Sequence, residues 1–161
     1  MTRVLITGIS GSGKSTVMDR LRRKGYRAID TDYGGWCGPA DGGPPPAPEA
    51  QPGWIWRADR MEELLSGDDP APLFVSGCVE NQGAFYPRFD HVVLLTAPED
   101  VIVERLSTRD TNDYGKAPED RARILAERRE VEPLLRGGAT VVVDTDGSPD
   151  ETVAALERLV L

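Results

Sequence analysis

The stretch Gly8-Ile9-Ser10-Gly11-Ser12-Gly13-Lys14-Ser15 limits what this chain can fold into more tightly than any other. It fits G-x-x-x-x-G-K-[ST], the phosphate-binding loop, at every fixed position. Such a loop works between a buried strand and a helix, and both are written beside it. Val4-Leu5-Ile6 is an apolar run ahead of it. Thr16 to Lys24 follows, with Val17 and Leu21 one helical turn apart and Gly25 as a stop. Glycines let several backbone N–H groups converge on one anion. The helix that follows turns its positive end toward the same point. Gly8, Ser10, Gly11, Ser12, Gly13, Lys14, Ser15 and Thr16 are therefore the expected contacts of a nucleoside triphosphate. Lys14 supplies a mobile positive charge for the outer phosphates, and the Ser15 hydroxyl suits a magnesium ion.

The 161 residues are expected to form one domain with a real core. Their net charge of −8 argues against a nucleic-acid polymer or an anionic membrane as main partner. No apolar run approaches the ~20 residues of a membrane span. The first strand starts at once, so no leader is expected ahead of it. Cys37 and Cys78 lack the spacing of a zinc or redox pair. Neither a disulfide scaffold nor a zinc site is expected, and a reducing cytoplasm fits. His91, the lone histidine, opens an apolar strand and reads as structural.

Further strands are predicted at Tyr26–Ile29, Leu73–Val75, His91–Leu95 and Ala139–Val143. Helices are predicted over about Trp54–Ser66, from Thr96-x-x-Glu99 through Leu106 with a capping box, from Pro118 to about Arg136, and from Ser148 to Val160. No two strands are joined by a hairpin turn, so the fold is α/β, a doubly wound parallel sheet of five strands flanked by helices. Gly34 to Gly53, rich in glycine and proline, reads as a flexible or extended loop. The polar stretch from 107 to 117 reads as a lid, flanked at its start by Arg105 and Arg109.

Active sites in such sheets lie beyond the carboxyl ends of the strands. There Asp30-Thr31-Asp32 ends strand 2. Asp30 is expected toward a metal and Asp32 toward an acceptor hydroxyl, as its base. Gly77, Glu80, Asn81 and Gln82, after strand 3, are candidate acceptor contacts. The tryptophans at positions 36, 54 and 56 either stack on a ring or anchor the loop to the core. Arg121 and Arg128 share the apolar stripe of the long helix. An inward arginine needs an anion, which either a transferred phosphate or a neighbouring carboxylate supplies.

These pieces resemble the nucleoside-monophosphate-kinase-like branch of the P-loop kinases, and most of all its shikimate kinase and adenylate kinase groups. The resemblance rests on Gly8 to Thr16, Asp30-Thr31-Asp32, Arg105 to Arg109, Glu132-Pro133-Leu134-Leu135 and Asp144-Thr145-Asp146. It implies sheet order 2-3-1-4-5 and ATP with Mg2+ on the loop. It also implies adenine contacts from the Arg109 side and from the segment holding Asp146, with the acceptor between strands 2 and 3. Glu132 stands where shikimate kinases carry an arginine, and Ser76-Gly77-Cys78 where they carry three glycines. The expected activity is transfer of a γ-phosphoryl group to a small-molecule hydroxyl, with Lys14, Asp32 and Arg128 as catalytic groups. A nucleoside monophosphate kinase is the alternative enzyme. A nucleotide-binding switch is the alternative of another class, though no Asn-Lys-x-Asp run is present.

Overall fold

The computed structural model describes residues 2–43, 49–51, 53–108 and 117–161. Three apolar runs form the middle of the sheet: β1 (Arg3–Thr7), β5 (Leu73–Ser76) and β6 (His91–Thr96). They are buried nearly throughout, as strands covered on both faces must be. β2 (Arg27–Asp30) lies at one edge and β7 (Val141–Asp144) at the other, in the order β2-β5-β1-β6-β7. Every pair is parallel, with Leu5 opposite Val75 and Val92. Counted within this sheet alone, the order is the expected 2-3-1-4-5.

Strand alternation divides the core. Val4 and Ile6 face α1 (Lys14–Arg23) and α5 (Pro149–Val160), packing with Met18, Leu21, Val153 and Leu156. Leu5 faces the other way, into a cluster with Trp56, Met61, Leu65 and Phe85. Those residues come from α2 (Ala58–Leu65), the residues just before it and a 3-10 segment (Gln82–Arg88). A third, smaller cluster joins Ile9 of the glycine loop to α3 (Glu99–Thr108) and α4 (Pro118–Gly138) through Ile102, Leu106 and Ile124. No helix among the described residues is long and apolar enough to cross a membrane. Cys37 and Cys78 are free thiols.

Three expectations are corrected. The second helix starts at Ala58, not Trp54, because Ile55–Trp56 forms a strand, β4. β4 pairs antiparallel with β3 (Cys37–Gly38), inside the stretch expected to be loose. That stretch is also tied by Ala50 N–H donating to Asp32 O at 2.8 Å. Its residues 44–48 and 52 lie outside the described residues. Thr96, expected as a helix cap, ends β6 and donates its hydroxyl to Glu132. Of the expected lid, 109–116 lie outside the described residues, Arg109 among them.

Candidate active site

The loop leaves β1 at Thr7 and enters α1 at Lys14. Gly8 has φ +153°, and a Cβ there would sit 2.6 Å from Leu95 O, so only glycine fits. Ser12 N–H donates to Ile9 O at 3.2 Å, which turns the loop over. Lys14 Nζ donates to Gly8 O and, at 3.1 Å, to Ile9 O, so the ammonium lies across the concave loop. Ser15 and Thr16 are exposed on the first turn of α1, and Ser10 is half-buried. The Ser12 hydroxyl is buried and makes no hydrogen bond among the described residues.

The loop is braced from behind. Arg105, on α3, donates to Gly11 O at 3.1 Å, to Thr145 Oγ1 at 2.9 Å and to Thr145 O. Thr145 Oγ1 in turn donates to Ser12 O at 2.8 Å. Arg105, expected on the nucleotide, thus holds the loop against the turn after β7. Asp146 is exposed, with its N–H on Asp144 Oδ1 at 2.8 Å. Sequence reasoning chose Asp146 and passed over Thr145, the buried residue beside it. Its signal was a small hydroxyl between two acids at a strand end.

Asp30 and Asp32 differ sharply. Asp30 is buried at the end of β2, and Asp32 is exposed. Asp32 N–H donates to Asp30 Oδ1 at 3.1 Å. Burial pushes the Asp30 carboxyl above its ordinary value, and the Asp32 charge adds to this; Asp32 N–H, Lys14 and Arg22 act the other way. Asp30 and Ser15 line one cavity of about 470 Å³ together with Arg22, Ile29, Tyr33, Gly34 and Trp36. Between the acids, Thr31 is buried. Its hydroxyl donates to Ser76 O at 2.7 Å and accepts from Trp56 Nε1 at 2.9 Å. Nearby, burial pushes the Cys37 thiol up to about 12, with the charges of Asp32 and Asp30 adding to it.

Several expected acceptor contacts serve the fold. Asn81 holds β4: Trp56 N–H donates to Asn81 Oδ1 at 3.0 Å, and Asn81 Nδ2 donates to Trp56 O at 3.0 Å. Gln82 is buried and donates to Thr7 Oγ1 and Tyr86 Oη, each at 3.0 Å. Gly77 permits close packing, since a Cβ there would sit 2.5 Å from Thr31 Oγ1. Glu80 is exposed. Arg128 has its anion within the protein: Glu132 lies 3.2 Å away and Glu99 3.7 Å, and Arg128 donates to Ala97 O at 3.1 Å. Of the two expected anions, the carboxylate is the one the structure places beside Arg128. Arg121 donates to Ser107 Oγ at 3.1 Å.

Comparison with known proteins matches residues 4–134 to a family described as AAA domain. The chain belongs to the AAA domain family. Among solved structures, this AAA-domain chain is similar to shikimate kinase from Acinetobacter baumannii in complex with shikimate, with 17% identity and a TM-score of 0.65. That likeness covers 99% of this chain and 93% of the other. Shikimate kinase from Bacteroides thetaiotaomicron gives 16% identity and a TM-score of 0.66, over 99% and 98%. A gluconokinase from Sinorhizobium meliloti 1021 gives 25% identity and a TM-score of 0.59, over 98% and 93%. No curated protein sequence matches. The resemblance to P-loop kinases of the nucleoside-monophosphate-kinase-like branch therefore holds for the AAA-domain fold.

The donor set around the cavity can be tested against magnesium. Ser15 offers a hydroxyl and Asp30 a carboxylate, both hard oxygen ligands on one hollow. No group of three or more His, Cys, Asp or Glu that could hold a metal occurs among the described residues. Such a pair fits an ion that keeps its waters and leans on substrate phosphates, as Mg2+ does.

Proposed function

We propose that the protein is an ATP-dependent kinase that phosphorylates a hydroxyl of a small molecule. The observation that carries this reading is the shared cavity. Ser15, on the first turn after the phosphate loop, and Asp30, at the end of β2, open onto one hollow large enough for a small acceptor. Likeness in fold to shikimate kinase and gluconokinase supports the same reading.

In this mechanism the loop amides and Lys14 hold the β- and γ-phosphates. Lys14 exchanges the loop carbonyls for phosphate oxygens. Ser15 and Asp30 would hold magnesium, which supplies neutralisation of phosphate charge when bound. Asp32 takes the proton of the acceptor hydroxyl as the acceptor oxygen bonds to the γ-phosphorus. The bond from that phosphorus to the β–γ bridging oxygen breaks, and ADP leaves. Lys14 stabilises the charge in transit. Arg105 and Thr145 keep the loop in shape.

The test is ADP release across a panel of sugars, polyols, nucleosides and nucleoside monophosphates. A hydroxyl acceptor should raise release well above the rate in water, and Lys14→Met should abolish the rise. Release raised only by nucleoside monophosphates would mark the adenylate-type alternative. If ATP binds and nothing in the panel raises release, the kinase reading gives way to a nucleotide-binding switch.

A further inference from the structure

After Asp32 the chain reads Tyr33-Gly34-Gly35-Trp36. Gly34 and Gly35 have φ of +90° and +77°, and this double left-handed turn presents Trp36 to the start of α2. There Arg57 N–H donates to Trp36 O at 2.8 Å. Arg60, one turn further along α2, donates to Gly34 O at 2.7 Å. It also lays its guanidinium over the indole, with Cζ 4.0 Å from the ring centroid. Backbone and ring are thus held from the same helix.

The indole packs against the core cluster that holds Trp56 and Met61 and stays only half-buried. Trp56 is buried and donates its N–H to Thr31. Trp36 is half-buried, and no described residue accepts from its N–H. It borders two hollows. One is the 470 Å³ cavity of Ser15 and Asp30. The other, of about 350 Å³, is shared with Arg27, Arg60 and Glu63. Arg60 lines the second hollow and is not among the residues that line the first. Trp36 thus gives the first hollow an aromatic ring, while Ser15 and Asp30 give it polar groups.

We propose that Trp36 is the specificity-determining wall of the acceptor site and that Arg60 is the residue that positions it. The acceptor is a ring-shaped polyhydroxylated molecule. Its C–H face lies on the indole while one hydroxyl reaches past the Asp30 end toward Asp32, the base of the proposed mechanism. An open-chain polyol offers the same hydroxyls without a flat face to cover the ring. This inference rests on the kinase reading for the identity of the cavity as acceptor site.

The experiment uses the full chain with a non-hydrolysable ATP analogue and 15N-labelled tryptophan. Three indole N–H signals are followed, and Trp36→Phe assigns one. Glucose, ribose and myo-inositol are titrated against sorbitol and ribitol. Ring probes should move the Trp36 signal at concentrations about fivefold below those needed for open-chain probes. Arg60→Ala should weaken ring probes by about fivefold and leave ATP affinity unchanged, while Arg60→Lys, which keeps the cation, restores most of the loss. Trp36→Ala should erase the preference in KM for ring acceptors with kcat held within about twofold. If Trp36→Ala loses ATP binding, Arg60→Ala carries the test with the indole still in the chain. Equal response to both probe classes, or none, overturns the proposal. Two failures are distinguishable. ADP formed from the panel with a silent Trp36 signal sinks this inference alone. Ring probes that move Trp36 with Mg-ATP present and no ADP formed sink the kinase reading instead.

Discussion

Asp30 and Asp32 stand two positions apart and meet opposite surroundings, so their replacement should affect stability differently. Burial, helped by the Asp32 charge, raises the Asp30 carboxyl above its ordinary value of 3.8. Below that value Asp30 is protonated whether the chain is folded or not, and it costs the fold nothing. As pH rises through the raised folded value, the unfolded chain ionises more readily than the folded one, and stability is lost. Asp30→Asn keeps the oxygen that accepts from Asp32 N–H and removes the charge. The nucleotide-free variant should therefore melt above the parent at neutral pH, with the gap closing below about pH 3.8. A lower melting point at neutral pH would show that the burial cost is not what governs Asp30. The gain should come with lost transfer, the trade common at functional sites. Asp32 is exposed, so Asp32→Asn should leave the fold alone. In the proposed mechanism it should cut kcat by roughly 10²- to 10⁴-fold, with ATP affinity kept. Normal turnover in that variant would remove Asp32 from the base role.

The phosphate loop was fully legible in the sequence, because its geometry is local: eight consecutive residues dictate one turn between a strand and a helix. The β3–β4 ribbon was not. Each of its strands is two residues long, and its pairing joins Cys37 to Trp56 across a stretch so rich in glycine and proline that its turn signals mark no single hairpin. Its supports come from elsewhere, Asn81 from beyond β5 and Thr31 from the end of β2. At Asn81 and Gln82 the sequence shows hydrogen-bonding side chains, and only the fold shows their partners within the protein. Arg128 shows the same limit: helical spacing shows that it faces inward, but only the fold brings Glu99 and Glu132 to it. The ribbon's dependence on Thr31 can be measured. Thr31→Val keeps the shape and leaves Trp56 Nε1 buried without an acceptor, which should cost about 1–3 kcal/mol in denaturant unfolding. The slope of the transition should stay unchanged. A cost of only a few tenths would show that Trp56 is anchored by its core packing, with the Phe85 ring 5.7 Å away edge-on, and by Asn81 rather than by Thr31.

Across the whole molecule, burial is uneven. β1, β5 and β6 are covered on both faces by two large clusters. α4 buries three of its 21 residues, Ile124, Glu132 and Leu135. Its second half is held by buried Leu135 together with ion pairs, since Arg128 and Arg136 both pair with Glu132. Its first half meets the protein through Ile124, in the small cluster that also contains Ile9 of the glycine loop and Ile102 and Leu106 of α3. Elements with few buried side chains open locally at a fraction of the global unfolding free energy. Hydrogen exchange should therefore show α4 amides opening well before those of β1 and β6. Because Ile9 shares that cluster, a nucleotide that fixes the loop should slow exchange in α3 and the first half of α4, while leaving the second half near Glu132 less affected. Ile124→Ala should speed α4 exchange with little change at β1, and it should remove the slowing that nucleotide produces there. Equal protection of α4 and β1 would mean that the molecule opens only as one unit. In that case the small cluster could not link the phosphate loop to the helices that flank residues 109–116.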